Sequence, residues 1–116
     1  MIKKQILAFL FIALSIVSCS KDEPTPAITF TQAEGKAVNG EYTITGTITS
    51  SVALLKVILT KEGSSTPFIV DDTTAKNKNN YPYSYLITGI TKDTYIIIDV
   101  YDQNNTKTST RFLIRV

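Results

Sequence analysis

Tyr42-Thr43-Ile44-Thr45-Gly46-Thr47-Ile48-Thr49 is the stretch on which the fold turns. Side chains of a strand alternate between its two faces, so threonine falls on one side and Tyr42, Ile44 and Ile48 on the other. That is a half-buried β-strand, and the same alternation spreads from it in both directions. Upstream, Ile28, Phe30 and Gln32 alternate with Thr29, Thr31 and Ala33. Downstream, a third strand is expected over 53–60, with Leu55, Val57 and Leu59 inward and Lys56 outward. A turn, Lys61-Glu62-Gly63-Ser64-Ser65, leads to a short strand at Phe68-Ile69-Val70. The polar loop 71–80 separates it from strands expected at 83–90, 94–102 and 107–116, the last two joined by a Gln103-Asn104-Asn105 turn. Within 94–102, either Ile96, Ile98 and Val100 or Tyr95 and Ile97 face the core, and Asp99 argues for the first. After residue 20 no stripe of helical period occurs, and the threonine- and isoleucine-rich composition favours strands. Seven short strands with regular turn signals give an all-β chain, a seven-stranded antiparallel β-sandwich.

The composition excludes more than it assigns. The 116 residues contain no histidine and one cysteine, Cys19. Without histidine the chain lacks the commonest general base, metal ligand and pH switch. A single cysteine forms no internal disulfide and no cysteine-based zinc site. No catalytic residues, cofactor or metal site are therefore expected. Twelve basic and ten acidic residues give a formal charge of +2, but Lys3 and Lys4 lie in the first few residues. Behind them the charge is balanced, which argues against a nucleic-acid partner.

Residues 6–17 read ILAFLFIALSIV, an apolar run shorter than the roughly 18 residues a membrane span needs. Lys3 and Lys4 precede it, and Ile16-Val17-Ser18-Cys19 follows. The arrangement resembles a bacterial lipoprotein signal with its lipobox. The resemblance implies a signal peptide over 1–18, cleavage before Cys19 and a lipid on the Cys19 thiol, which anchors the chain to a membrane. Ser20-Lys21-Asp22-Glu23-Pro24-Thr25-Pro26 reads as a polar tether over 19–26. Its Lys21-Asp22-Glu23 is similar to the export signal of Bacteroidetes surface lipoproteins, which implies the outer face of the outer membrane. The domain then occupies 27–116. There, Ile90-Thr91-Lys92-Asp93-Thr94-Tyr95 resembles the turn of immunoglobulin-like domains in which a tyrosine folds back onto the backbone. Val100-Tyr101-Asp102, with Asn104, Asn105 and Thr106 after it, is similar to the last hairpin of such modules. The whole run resembles the immunoglobulin or fibronectin III-like domains of Bacteroidetes surface lipoproteins, although tryptophan is absent.

Tyr81, Tyr83 and Tyr85 share one face of a strand, either as core or as a platform for sugar rings. Tyr81, between Asn80 and Pro82, is the candidate for ligand stacking, with Phe68 beside it and Tyr101 a further ambiguous ring. Asp71, Asp72, Asn77, Asn79 and Asn80 offer oxygen atoms to a calcium ion, but their spacing matches no calcium loop, and Asp99 and Asp102 are too few for one. Asp72-Thr73-Thr74 resembles a Bacteroidetes O-glycosylation motif, which implies a glycan on Thr73. Asn104-Asn105-Thr106 fits an N-glycosylation sequon but reads as a turn. The expectation is a non-enzymatic, membrane-anchored surface module that binds a glycan or protein. The alternatives are a structural spacer or accessory subunit of an envelope complex, joined through the edge of its last strand at 108–116, and a periplasm-facing assembly factor or inhibitor.

Overall fold

The computed structural model describes residues 24–116, and every described regular element is a strand. In chain order these are β1 (Ala27–Phe30), β2 (Gly35–Lys36), β3 (Tyr42–Thr49), β4 (Leu54–Lys61), β5 (Ile69–Asp71), β6 (Asn80–Ile87), β7 (Thr94–Asp102) and β8 (Lys107–Arg115). They form two sheets, ordered β1-β3-β6 and β2-β8-β7-β4-β5. Between the sheets lies one apolar core. Ile44, Ile48, Tyr83 and Ile87 enter it from the first sheet, and Leu54, Val57, Leu59, Ile96, Ile98 and Val100 from the second. Alternation along β3 and β7 runs as expected, with Ile44, Ile48, Ile96, Ile98 and Val100 buried.

Four expectations need correction. The described strands number eight, because β2 is a two-residue element that pairs parallel to β8, Gly35 with Ile114 and Lys36 with Arg115. It ends in a tight hairpin in which Val38 bridges Glu41 across Asn39 and Gly40, both at positive φ (55° and 79°). That geometry is what an Asn-Gly pair supplies. In β4, Leu54 and not Leu55 is buried, because the register with β7 shifts between Leu54 and Lys56. The shift re-aims the first residues of the strand and returns Val57 and Leu59 to the core. The sixth strand starts at Asn80 and stops at Ile87, ahead of the expected 83–90. Tyr95 does not fold back: it is half-buried on the outer face, its ring 4.1 Å beneath the Arg111 guanidinium.

The last strand is closed only at its C-terminal end, where β2 pairs with Ile114 and Arg115; residues 107–113 pair with β7 alone. Between β7 and β2, β8 is an inner strand at its C-terminal end, and it carries Arg111 and Arg115. Among the described residues β6 is the longest uncharged edge, eight residues paired only with β3. Proline cannot donate to β3, so Pro82 occupies a position whose N–H would face outward. It removes a donor from the open side and blunts the edge. Pro82→Thr restores that donor in a sequence of high strand preference. The expected result is concentration-dependent dimerisation in size-exclusion chromatography with light scattering; a variant that stays monomeric at every concentration would show that Pro82 does not guard the edge.

The strand directions divide the molecule into two ends. Ala27 pairs with Thr49, so the chain enters beside the 50–53, 72–79 and 103–106 loops. The opposite end carries the 37–41, 62–68 and 88–93 connections and Val116.

Candidate functional site

A buried group of ionisable side chains centres on Asp71, at the end of β5 and 8% exposed. One carboxylate oxygen, Oδ2, accepts the Tyr85 hydroxyl at 2.7 Å and the Tyr81 hydroxyl at 2.9 Å. The other, Oδ1, accepts the backbone N–H groups of Thr74 at 2.9 Å, Ala75 at 3.2 Å and Thr73 at 3.3 Å. Asp71 belongs to the second sheet and the two tyrosines to the first, so the cluster ties the sheets together. It also holds the start of the 72–79 loop in a tight turn. Burial raises the pKa of Asp71, but the hydroxyls of Tyr85 and Tyr81 and the amides of Ala75 and Thr73 outweigh it and hold the carboxyl below its ordinary value.

Tyr81 is therefore not a stacking platform. It is 7% exposed, its hydroxyl is spent on Asp71, and the Lys78 ammonium lies 5.5 Å from its ring. The reason is the early start of β6, which puts residues 81, 83, 85 and 87 in phase on the inner face. Tyr83 follows the same rule, and its hydroxyl crosses to the Thr29 carbonyl at 2.8 Å. Burial pushes the phenol of Tyr83 well above its usual value. In Tyr85, burial and the bonds to Tyr81 and Asp71, with the Asp71 charge, do the same. A pKa raised in the folded state means that stability is complete below about pH 10 and is lost as pH climbs past it. An absorbance titration at alkaline pH should thus show these phenols ionising together with loss of β-sheet circular dichroism. Smooth ionisation while the sheet signal persists would contradict their buried placement.

Phe68 remains at the surface, 39% exposed, with the Lys61 ammonium 4.5 Å from its ring centre. Lys61 also donates to the Thr88 carbonyl at 2.7 Å, so one lysine joins two connections at the end away from chain entry. Tyr101 is half-buried on the outer face, with Lys56 4.9 Å and Lys107 6.0 Å from its ring. Thr73 is exposed. The calcium ligands considered from sequence do not assemble: both Asp71 oxygens are occupied, and no cluster of metal-binding side chains occurs among the described residues. Asn77 and Asn79 serve the loops instead, Asn79 Nδ2 donating to the Ser50 carbonyl at 3.0 Å and Asn77 Oδ1 accepting Gln103 Nε2 at 3.2 Å. Asp102 closes the last hairpin, its Oδ1 accepting the N–H groups of Asn104 at 2.8 Å and Thr106 at 2.9 Å. Asn105 sits there at φ 65°, so the sequon is a turn. Cys19, Lys21, Asp22 and Glu23 lie outside the described residues.

A surface missed in the sequence lies at the end away from chain entry. A shallow groove of about 490 Å³ is lined by Lys36, Val38, Asn39, Glu41, Tyr42 and Leu86 among others. Val38 is 68% and Leu86 52% exposed. The Asn39-Gly40 hairpin, which could have been read from sequence, is what lifts Val38 into solvent.

No protein-family model matches the chain, and no curated protein is similar to it. Among solved structures it is similar to the fibronectin(III)-like modules of Clostridium thermocellum CbhA, with a TM-score of 0.56 and 19% identity. The match covers 80% of this chain and 47% of that one, so the chain spans about half the length of that structure. At this identity the likeness establishes the fold, a fibronectin III-like β-sandwich, and fold does not fix function.

Proposed function

We propose that the chain is a non-enzymatic surface lipoprotein, anchored through Cys19, whose sandwich binds a partner through the end remote from the tether. The observation that carries the reading is the groove beside Val38 and Leu86, on the end opposite to Ala27. A large exposed aliphatic pair flanked by Lys36 and Glu41 suits a partner surface with apolar anchors and a polar rim. With Tyr81 inside and one face of Phe68 facing Lys61, a protein suits this groove better than a sugar ring does. The fibronectin III-like fold supports a module that binds rather than catalyses.

Protease shaving of intact cells tests the reading, with a periplasmic protein as control. Loss of this chain while the control survives is the expected result. Survival of both would overturn surface exposure and leave the periplasm-facing alternative. Cys19→Ser should release the chain from the membrane fraction; retention of the variant there would overturn the lipid anchor.

A further inference from the structure

We infer that Asn39 is a self-modifying residue: the Gly40 amide nitrogen attacks its side-chain carbonyl, and the product reshapes the Val38–Leu86 groove. The second half rests on the groove reading above, because it concerns the regulation of that same surface. Asparagine is a labile side chain, and access of the next backbone nitrogen to its carbonyl decides how long it lasts. Of Asn39, Asn77, Asn79, Asn80, Asn104 and Asn105, only Asn39 precedes a glycine. Asn77 and Asn105 share its positive φ, at 69° and 65°. In both, however, the nitrogen that would attack is engaged. The Lys78 N–H donates to the Ala75 carbonyl at 3.1 Å, and the Thr106 N–H to Asp102 Oδ1 at 2.9 Å. After Asn104, the Asn105 N–H donates to the Asp102 carbonyl at 2.9 Å. Asn79 is held by its own side chain, Nδ2 donating to the Ser50 carbonyl at 3.0 Å, and Asn80 precedes Tyr81, which pairs with Ile48 in the β3–β6 ladder.

Asn39 has none of these restraints. The two hydrogen bonds of its hairpin run between Val38 and Glu41, at 2.9 and 3.1 Å. They leave the Gly40 N–H without an acceptor among the described residues, next to an exposed asparagine. Gly40 has no side chain to crowd its nitrogen. Its carbonyl is anchored, accepting the Ile90 N–H at 2.9 Å.

The conversion needs only water. The Gly40 nitrogen bonds to Asn39 Cγ, and the Cγ–Nδ2 bond breaks. Ammonia leaves with the proton that Gly40 gives up, and a five-membered imide remains. Water then opens the ring at one of its two carbonyls. Attack at Cγ gives aspartate, whereas attack at the main-chain carbonyl gives isoaspartate, whose backbone runs through Cβ and Cγ. Either product places a carboxylate on a groove whose charged lining residues are Lys36 and Glu41, so a balanced rim becomes acidic. Isoaspartate also adds one backbone atom to a two-residue turn. With Gly40 held to Ile90, the extra length falls between Val38 and Gly40. Val38 and Glu41 then cannot keep both hydrogen bonds, and Val38 leaves its place beside Leu86.

The test keeps the full chain in detergent for days at mildly alkaline pH, then digests it with trypsin for mass spectrometry. Cleavage after Lys36 and Lys56 isolates residues 37–56, in which Asn39 is the only asparagine. The expected result is loss of ammonia and gain of water at Asn39, several-fold faster than at any other asparagine. Labelling by an isoaspartyl methyltransferase should mark the isoaspartate fraction. An Asn39 that stays intact, or converts no faster than the others, overturns the assignment. Methyl NMR signals of Val38 and Leu86 read the groove. They should shift as Asn39 converts and stay fixed over the same period in Asn39→Gly, which keeps the positive φ and has no side chain to react. Conversion without shifts, or shifts in Asn39→Gly as well, overturns the remodelling. Neither readout uses a partner, so both can fail while the groove still binds one. A groove that binds no partner would leave the conversion of Asn39 standing.

Discussion

Asp71→Ala is expected to lower the unfolding free energy by about 3–5 kcal/mol, the cost of breaking a buried, charge-assisted network from one side. The substitution leaves two tyrosine hydroxyls and three backbone N–H groups without their acceptor. Against a total of roughly 5–15 kcal/mol for a domain, that is a large share. Urea unfolding followed by circular dichroism measures it. Tyr81→Phe and Tyr85→Phe each remove one donor and should cost about 1–2 kcal/mol. A loss below about 0.5 kcal/mol in Asp71→Ala, the size of an ordinary surface change, would show that the cluster does not hold the sheets together. The pH dependence supplies a second check. Because the folded state holds the Asp71 carboxyl below its ordinary value, its contribution is complete above about pH 4 and drains away as pH falls toward the folded value. Asp71→Asn, which cannot ionise, should flatten that acid limb, and an unchanged limb would assign it to other carboxylates.

Gly46→Ala should cost about 2–4 kcal/mol, through overpacking against backbone that cannot turn aside. Gly46 lies in β3 opposite Phe30 of β1 and Tyr83 of β6. A methyl group there would collide with the Thr29 carbonyl oxygen and stand 2.6 Å from the Tyr83 hydroxyl. Those two atoms are hydrogen-bonded to each other over the glycine, so the missing side chain is what lets Tyr83 reach β1. Faster hydrogen exchange of the β1 amides would accompany the loss. Combining Gly46→Ala with Tyr83→Phe should recover only part of it, since the Thr29 carbonyl remains in the way. Full recovery would mean that the phenol alone sets the tolerance of this site.

Alternation was enough to read β3, β7 and the last hairpin, because their inner residues are isoleucine and valine and their outer ones polar. It failed where two residues compete for one position. Leu54 and Leu55 are chemically alike, and only the shifted pairing with β7 decides between them. It failed also at Tyr81, since nothing local says whether a tyrosine has a buried acceptor. Asp71, ten residues earlier and across the sandwich, provides it. Tyr81, Tyr83, Tyr85 and Ile87 form one continuous series, and an aspartate at the end of a short strand was the available partner. β2 is too short for any period to show, but Asn39-Gly40 announces the hairpin behind it. The groove at Val38 and Leu86 depends on bringing 36–43 beside 86, a pairing that no single segment contains.

The parallel pairing of β2 with β8 also sets how the molecule carries tension. Were the chain held at its N-terminal side and pulled at Val116, β2 and β8 would be drawn in opposite directions along their common axis. The Gly35–Ile114 and Lys36–Arg115 pairs, with the bond from the Ala37 N–H to the Arg115 carbonyl at 2.7 Å, would then bear the load together in shear instead of unzipping one by one. A two-residue strand that adds little to the core thus backs up β1, whose pairing with β3 meets tension from the N-terminal side first.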